Sequence, residues 1–340
     1  MIAPDTAGSG GSALPRRLLT CGALGLALLL VGGGLPLWAL LALGVDLVRP
    51  RIGGVRRYAT LRCLGFFLAW LICEAVGVVL AVALWVVTPR WDPERFLNSN
   101  YGLQRSWGSA LVAATLTLFD MQVHIQDDGL LDGRPILLFV RHTSLADGVL
   151  ALPFVCQAHG YRLRYVLKEE LRFDPCLDIV GHRIPNAFVK RDGSDSAREI
   201  ARVEGLLDGL GQGDGVLLFP EGTRNTPARR ERALAKLAES ASPEVLARAR
   251  MLRHTLPPRP GGAGALLAKN PGADVVLWGH TGLEGAIRFW DFLDGALVGR
   301  TLRMRFWRYP ASEVPKEPEA AYLWLLDRWV EMDGWVHEGA

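Results

Sequence analysis

At 340 residues the chain is long enough for one large domain with an appendage, or for two ordinary domains. Half of it is hydrophobic and its mean hydropathy is +0.18, with most of the excess before residue 90. A net charge of +3 with no dense Lys/Arg run implies no nucleic-acid partner. Cys21, Cys63, Cys73, Cys156 and Cys176 are scattered and never spaced C-x-x-C, which argues against a disulfide framework or zinc site and fits a reducing compartment.

Residues 1–15 are rich in Gly and Ser and read as a disordered tail. Residues 16–90 read as a membrane anchor with two apolar segments, 18–48 and 64–87. A hydrocarbon core of about 30 Å needs roughly 20 apolar residues in a helix, so both are long enough to cross. Gly32 to Pro36 predicts a kink or a re-entrant turn in the first. A signal peptide is the rival reading, but the apolar region is too long and a second one follows. Glu74 interrupts the second segment; it is expected to be protonated or to face the other apolar segment, the alternative being a functional carboxylate. Arg49, Arg51, Arg56, Arg57 and Arg62 in the connection would mark it as cytoplasmic, which leaves the domain's side of the membrane undecided for two full crossings.

From about residue 105 to 335 the texture changes to short apolar runs alternating with amphipathic stretches. Strands are expected at 121–125, 135–140, 163–167, 187–191, 215–220, 274–280 and 300–307. A helix is expected over 197–210, opened by a Ser196–Glu199 capping box. The fold class is therefore α/β, a mixed and largely parallel sheet flanked by helices, preceded by N-terminal membrane helices.

"FVRHTSLADG" places His142 five residues before Asp147. On one helix these side chains would point about 140° apart. They meet only if His142 lies on the turn after a strand and Asp147 in the first turn of the next helix. Asp147 would then fix the imidazole tautomer and leave the outer nitrogen as a general base. Ser144 is too close in sequence to be an obvious nucleophile and no G-x-S-x-G occurs, so the base would activate a substrate hydroxyl. The plain alternative is a capped loop.

"GVLLFPEGTRN" ends a buried strand in Glu221-Gly222-Thr223-Arg224. Glycine permits close approach of the backbone, threonine offers a hydroxyl, and arginine offers a fork suited to phosphate. Glu221 would repel a phosphate and is expected to brace the loop by accepting from Thr223 or Arg224. Lys168, Lys190 and Arg191 follow strand ends and would add cations, or are simply solvated charges.

In this order the pieces resemble the glycerolipid acyltransferase family that includes the 1-acyl-glycerol-3-phosphate (lysophosphatidic acid) acyltransferases. H-x-x-x-x-D matches His142 and Asp147, and F-P-E-G-T-R matches Phe219 to Arg224 without a change. "AFVKR" after Gly181 and "LPPRPGG" (256–262) fit the two weaker blocks, and "LKEEL" fits the lysine-containing stretch. The resemblance implies a glycerol-3-phosphate acyltransferase-like fold and His142 as the base, with Asp147 orienting it. It implies an acceptor site of Arg191, Glu221, Gly222, Thr223, Arg224 and Lys168, with Pro258 toward the acyl donor. It implies no metal or other cofactor; acyl-CoA or acyl-carrier protein is the co-substrate, a lysophospholipid the acceptor, and membrane lipids the surroundings. The domain is expected on the cytoplasmic side, where the donor is. Three features depart from the family pattern: Arg141 replaces a common asparagine, the glycine-to-basic spacing is long enough to leave Lys190 and Arg191 as alternatives, and a basic helical insertion follows Asn225. Another lysophospholipid or glycolipid acceptor, a hydrolase using Ser144, and a non-catalytic lipid-binding protein are the competing functions.

Overall fold

The computed structural model describes residues 10–49, 57–89, 91–190 and 196–339. The tail over 1–9 lies outside them. The two apolar segments form three helices, α1 (Gly10–Gly33), α2 (Leu35–Val48) and α3 (Ala59–Val87). The first segment breaks at Gly34, because Pro36 has no N–H for the preceding turn. A Cβ on Gly34 would stand 2.8 Å from the Leu30 carbonyl oxygen. Asp46, near the end of α2, turns back onto α3 and accepts from the Thr60 and Leu61 N–H groups at 3.0 and 2.9 Å. These are two of the amides that a helix start leaves unpaired.

Helix α3 does not project from the molecule. It runs antiparallel along α4 (Pro93–Leu118), with Gly65 against Leu118 and Gly77 against Trp107. Glu74 is fully buried, and its carboxylate accepts from Trp107 Nε1–H at 2.8 Å and from the Cys176 N–H at 3.1 Å. It therefore faces the α/β domain, not the first apolar segment. Helix α4 starts before the expected boundary at 105, and its Trp107, Leu111 and Val112 enter the core.

The rest is β1 (Gln122–Gln126), β2 (Ile136–Val140), α5 (Asp147–Ala151, widening into a π turn through Gln157), β3 (Arg162–Lys168), α6 (Pro175–Gly181) and β4 (Ala187–Val189). There follow α7 (Ser196–Gly205), β5 (Asp214–Leu218), α8 (Pro227–Ser240), α9 (Pro243–Met251), α10 (Pro260–Ala268), β6 (Asp274–Thr281), α11 (Phe289–Leu293), β7 (Thr301–Tyr309) and α12 (Pro318–Gly339). A strand overlaps each expected window, with ends that differ by up to two residues, and the sheet order is β1-β7-β6-β2-β5-β3-β4. All neighbours are parallel except β6 and β7. Helix α7 takes in Ser196, the expected cap, as its first residue and ends at Gly205 instead of 210; the Ser196 side chain lies outside what is described.

Strands β2, β5 and β6 are buried throughout, as parallel strands covered on both faces must be. After β2 the chain packs with α4 on one face, whereas after β5 it reaches α10, which packs with α7 and α12 on the other. The connections leaving two adjacent strands thus diverge. That divergence opens a crevice at their carboxyl ends, where open α/β sheets take ligands.

Candidate active site

His142 lies two residues beyond β2, and Asp147 opens α5. The turn between them lets the side chains meet: His142 Nδ1 is 3.0 Å from Asp147 Oδ2. The same oxygen accepts from the Thr143 and Ser144 N–H groups at 2.5 and 2.8 Å. Burial alone would push the Asp147 carboxyl up. The neighbouring His280, the His142 hydrogen bond and charge, and the backbone donors outweigh it and hold the pKa below the ordinary value. With Nδ1 committed as donor, Nε2 is left with its lone pair at the partly exposed edge of the ring. Phe219 supports the ring, with centroids 4.6 Å apart.

Both backbone groups of His142 are held by the Glu-Gly-Thr-Arg turn. Glu221 Oε1 accepts from the His142 N–H at 2.9 Å, and the Asn225 N–H donates to the His142 carbonyl at 3.3 Å. Glu221 Oε2 accepts from the Leu256 N–H at 2.9 Å. Glu221 therefore braces the loop, as a carboxylate there should, but through His142 and Leu256, not through Thr223 or Arg224. It is buried with both oxygens occupied and faces no acceptor. Burial pushes its carboxyl up to about 8 against the pull of those two N–H groups and of Arg141.

Arg141 is buried and takes no substrate position. Its guanidinium reaches the His280 carbonyl, Glu284 Oε1 at 2.7 Å and the His254 carbonyl at 3.1 Å. His280 Nε2 in turn lies 2.9 Å from the Arg141 carbonyl and 3.7 Å from Asp147 Oδ1. Burial lowers the His280 pKa, and its Nε2–H donates to that carbonyl. The residue before His142 is thereby clamped at both backbone and side chain. Ser144 is fully buried, and its Oγ donates to the Ala286 carbonyl at 2.9 Å, away from His142. That geometry gives a serine nucleophile no activating base.

A cavity of about 150 Å³ lies beside Phe219 and Pro220. Gly222, Lys190 and Arg259 line it, with Val166, Val203, Leu218 and Ala263 as apolar wall. Lys168 is exposed, does not line the cavity, and sits 4.0 Å from Glu170. Arg224 turns toward the Ile287 carbonyl, and desolvation lowers its pKa. Thr223 stays half-buried in the turn. Pro258 is buried, with its carbonyl accepting from Tyr322 O–H at 2.6 Å. Arg191 lies outside the described residues. Among the described residues no His, Cys, Asp or Glu cluster has the arrangement of a metal site.

Residues 121–267, which include His142, Asp147, the Glu221–Arg224 turn and Arg259, match the family model described as Acyltransferase. This stretch is an acyltransferase-family domain. The resemblance to the glycerolipid acyltransferases read from "FPEGTR" and its companions therefore stands. The solved structure of PlsC, the 1-acyl-sn-glycerophosphate (LPA) acyltransferase of Thermotoga maritima, is similar at 16% identity and a TM-score of 0.51, over 80% of this chain and 96% of that one. At that identity the likeness is one of fold. No curated protein matches the chain.

The sequence reading of the acyltransferase domain missed three supports. His280 ends a strand and was legible as a polar residue where a buried strand stops. Arg259 stands next to Pro258 in "LPPRPGG", where the proline drew the reading. Asp333 of α12 accepts from the N–H groups of Arg253, His254 and Thr255 and so carries the segment leading to Leu256. No local signal announces it, since it lies 78 residues from Thr255.

Proposed function

We propose that the acyltransferase domain moves a fatty acyl chain from acyl-CoA or acyl-carrier protein to the free hydroxyl of 1-acyl-glycerol-3-phosphate, giving phosphatidic acid. The observation that carries this is the imidazole itself: Nδ1 is engaged by a buried carboxylate and Nε2 is available, beside a turn of phosphate-binding chemistry. In the reaction Nε2 takes the proton of the acceptor hydroxyl as its oxygen attacks the thioester carbonyl. The tetrahedral species collapses with loss of the thiolate, which receives that proton from the imidazolium. No acyl-enzyme forms, in keeping with the buried, outward-bonded Ser144.

The exposed apolar faces of α1, α2 and α3 support a bilayer setting, which suits an acceptor and product that live there. The test offers the purified protein labelled acyl-CoA or acyl-carrier protein with 1-acyl-glycerol-3-phosphate, beside His142→Ala. Labelled phosphatidic acid is expected from the wild type. The variant should lose about 10²- to 10⁴-fold in kcat, the usual worth of a positioned base. Equal rates from the variant, or thioester cleavage that needs no acceptor, would overturn the reading.

A further inference from the structure

The cavity beside the Glu-Gly-Thr-Arg turn holds a cation with no work inside the protein. Arg259 precedes α10, and its N–H donates to the Pro220 carbonyl at 2.8 Å, which ties it to the turn. Its side chain lies directly on Gly222: a Cβ there would stand 2.6 Å from Arg259 Nε and 2.9 Å from Cζ. Gly222 has φ +68°, so glycine is needed both for the turn and for the guanidinium above it.

The other charges around the cavity are engaged. Arg224 reaches the Ile287 carbonyl, Lys190 sits 3.8 Å from Glu169, and Glu199, the acidic group in the wall, is held by Arg202 at 3.1 Å. Among the described residues the Arg259 guanidinium has no hydrogen-bond or ion-pair partner. Phe219 lines the same cavity and packs on His142, so an anion held there sits next to the base. A planar fork with unspent donors over a glycine suits a group that offers two oxygens, and phosphate does.

We propose that Arg259 grips the phosphate of the acyl acceptor and so selects phosphate-bearing acceptors over neutral ones. The proposal rests on the acceptor reading above and adds a specificity-determining residue to it. Coenzyme A also carries phosphates, so donor and acceptor must be varied separately.

The experiment measures kcat/KM for 1-acyl-glycerol-3-phosphate and for phosphate-free 1-acyl-glycerol, each with acyl-CoA and with the acyl N-acetylcysteamine thioester. The proteins are the wild type, Arg259→Ala, Arg259→Lys and Arg232→Ala, the last an exposed arginine of α8. The wild type is expected to prefer the phosphate acceptor. In Arg259→Ala that preference should fall about 10- to 100-fold, chiefly through KM and with either donor, as expected for charge-assisted hydrogen bonds. Arg259→Lys, which keeps the stem over Gly222, should recover part of it and covers the case in which alanine unsettles the loop. Arg232→Ala should keep the wild-type ratio. A preference retained in both Arg259 variants, or a loss seen only with acyl-CoA, would overturn the role of Arg259 alone. A wild type that treats both acceptors equally would overturn the acceptor reading and Arg259 with it.

Discussion

Glu221 and Asp147 are both buried carboxylates within reach of His142, yet their surroundings drive them in opposite directions. Asp147 collects the imidazole and two backbone N–H donors on one oxygen and stays ionised. Glu221 has one N–H per oxygen, and burial prevails. A carboxyl raised to about 8 keeps its proton in the folded chain while the unfolded chain loses it near pH 4.3. Between those values the folded state binds more protons, so this group's contribution to stability falls as pH rises. Thermal unfolding from pH 5 to 8 should therefore show a declining contribution in the wild type that Glu221→Gln flattens. Parallel curves for the two proteins would show that Glu221 is ionised throughout. Asp147 has the opposite sign: its contribution is complete above about pH 4 and is lost as pH falls below.

Helices α1 to α3 are attached to the rest of the fold at both ends by arginines. Arg57 donates to the Gly295 carbonyl at 2.8 Å, and Arg49 and Arg62 reach the Leu293 and Leu118 carbonyls. At the other end Arg16 and Arg17 close on the buried Asp178 of α6 at 2.8 and 2.9 Å. Burial would raise the Asp178 carboxyl, but His182, Arg17 and Arg16 hold it down at about 2. Removing it leaves two cations facing an empty carboxylate site at a part-buried interface, which costs far more than an exposed pair would. In Asp178→Ala, hydrogen exchange in the first turns of α1 should quicken at least about ten-fold, while α12 keeps its protection. Unchanged exchange in α1 would mean that packing on α3 alone holds it.

At the scale of the whole chain, α3 spans about 43 Å for its 29 residues, and α4 accompanies it along its length. Its start touches Gly295 and its far end, through Ala81, touches Arg183. A perpendicular crossing would pull part of the acyltransferase domain through the bilayer with it. Lying in one leaflet, with the outward faces of all three helices in lipid, satisfies the apolar surface without that cost. With neither segment crossing, the arginine-rich connection and the α/β domain are predicted to share one side of the membrane. In proteoliposomes of a variant whose five native cysteines are replaced, single cysteines at Tyr58 and Trp91 should label from the same side. Labelling from opposite sides would establish a full crossing.

The sequence by itself determined the strands, the mixed and largely parallel α/β class, the break near Pro36 and the family resemblance. These rest on local apolar runs, proline geometry and a motif whose residues are neighbours in the chain. The way His142 and Asp147 meet was also legible, because only a strand–turn–helix path brings residues five apart into contact. What only the tertiary structure decided are partners distant in sequence: Glu221 on the His142 and Leu256 amides, Asp333 under residues 253–255, and Arg141 among His254, His280 and Glu284. Arg259 belongs with them, since its contact with Gly222 depends on a crossing of loops that no periodicity records. The two apolar segments passed every test for membrane crossing by length and composition. The lengthwise packing of α3 on α4, and of α1 and α2 on α3, was invisible to those tests, because an apolar helix face meets protein or lipid equally well until the rest of the fold supplies one of them.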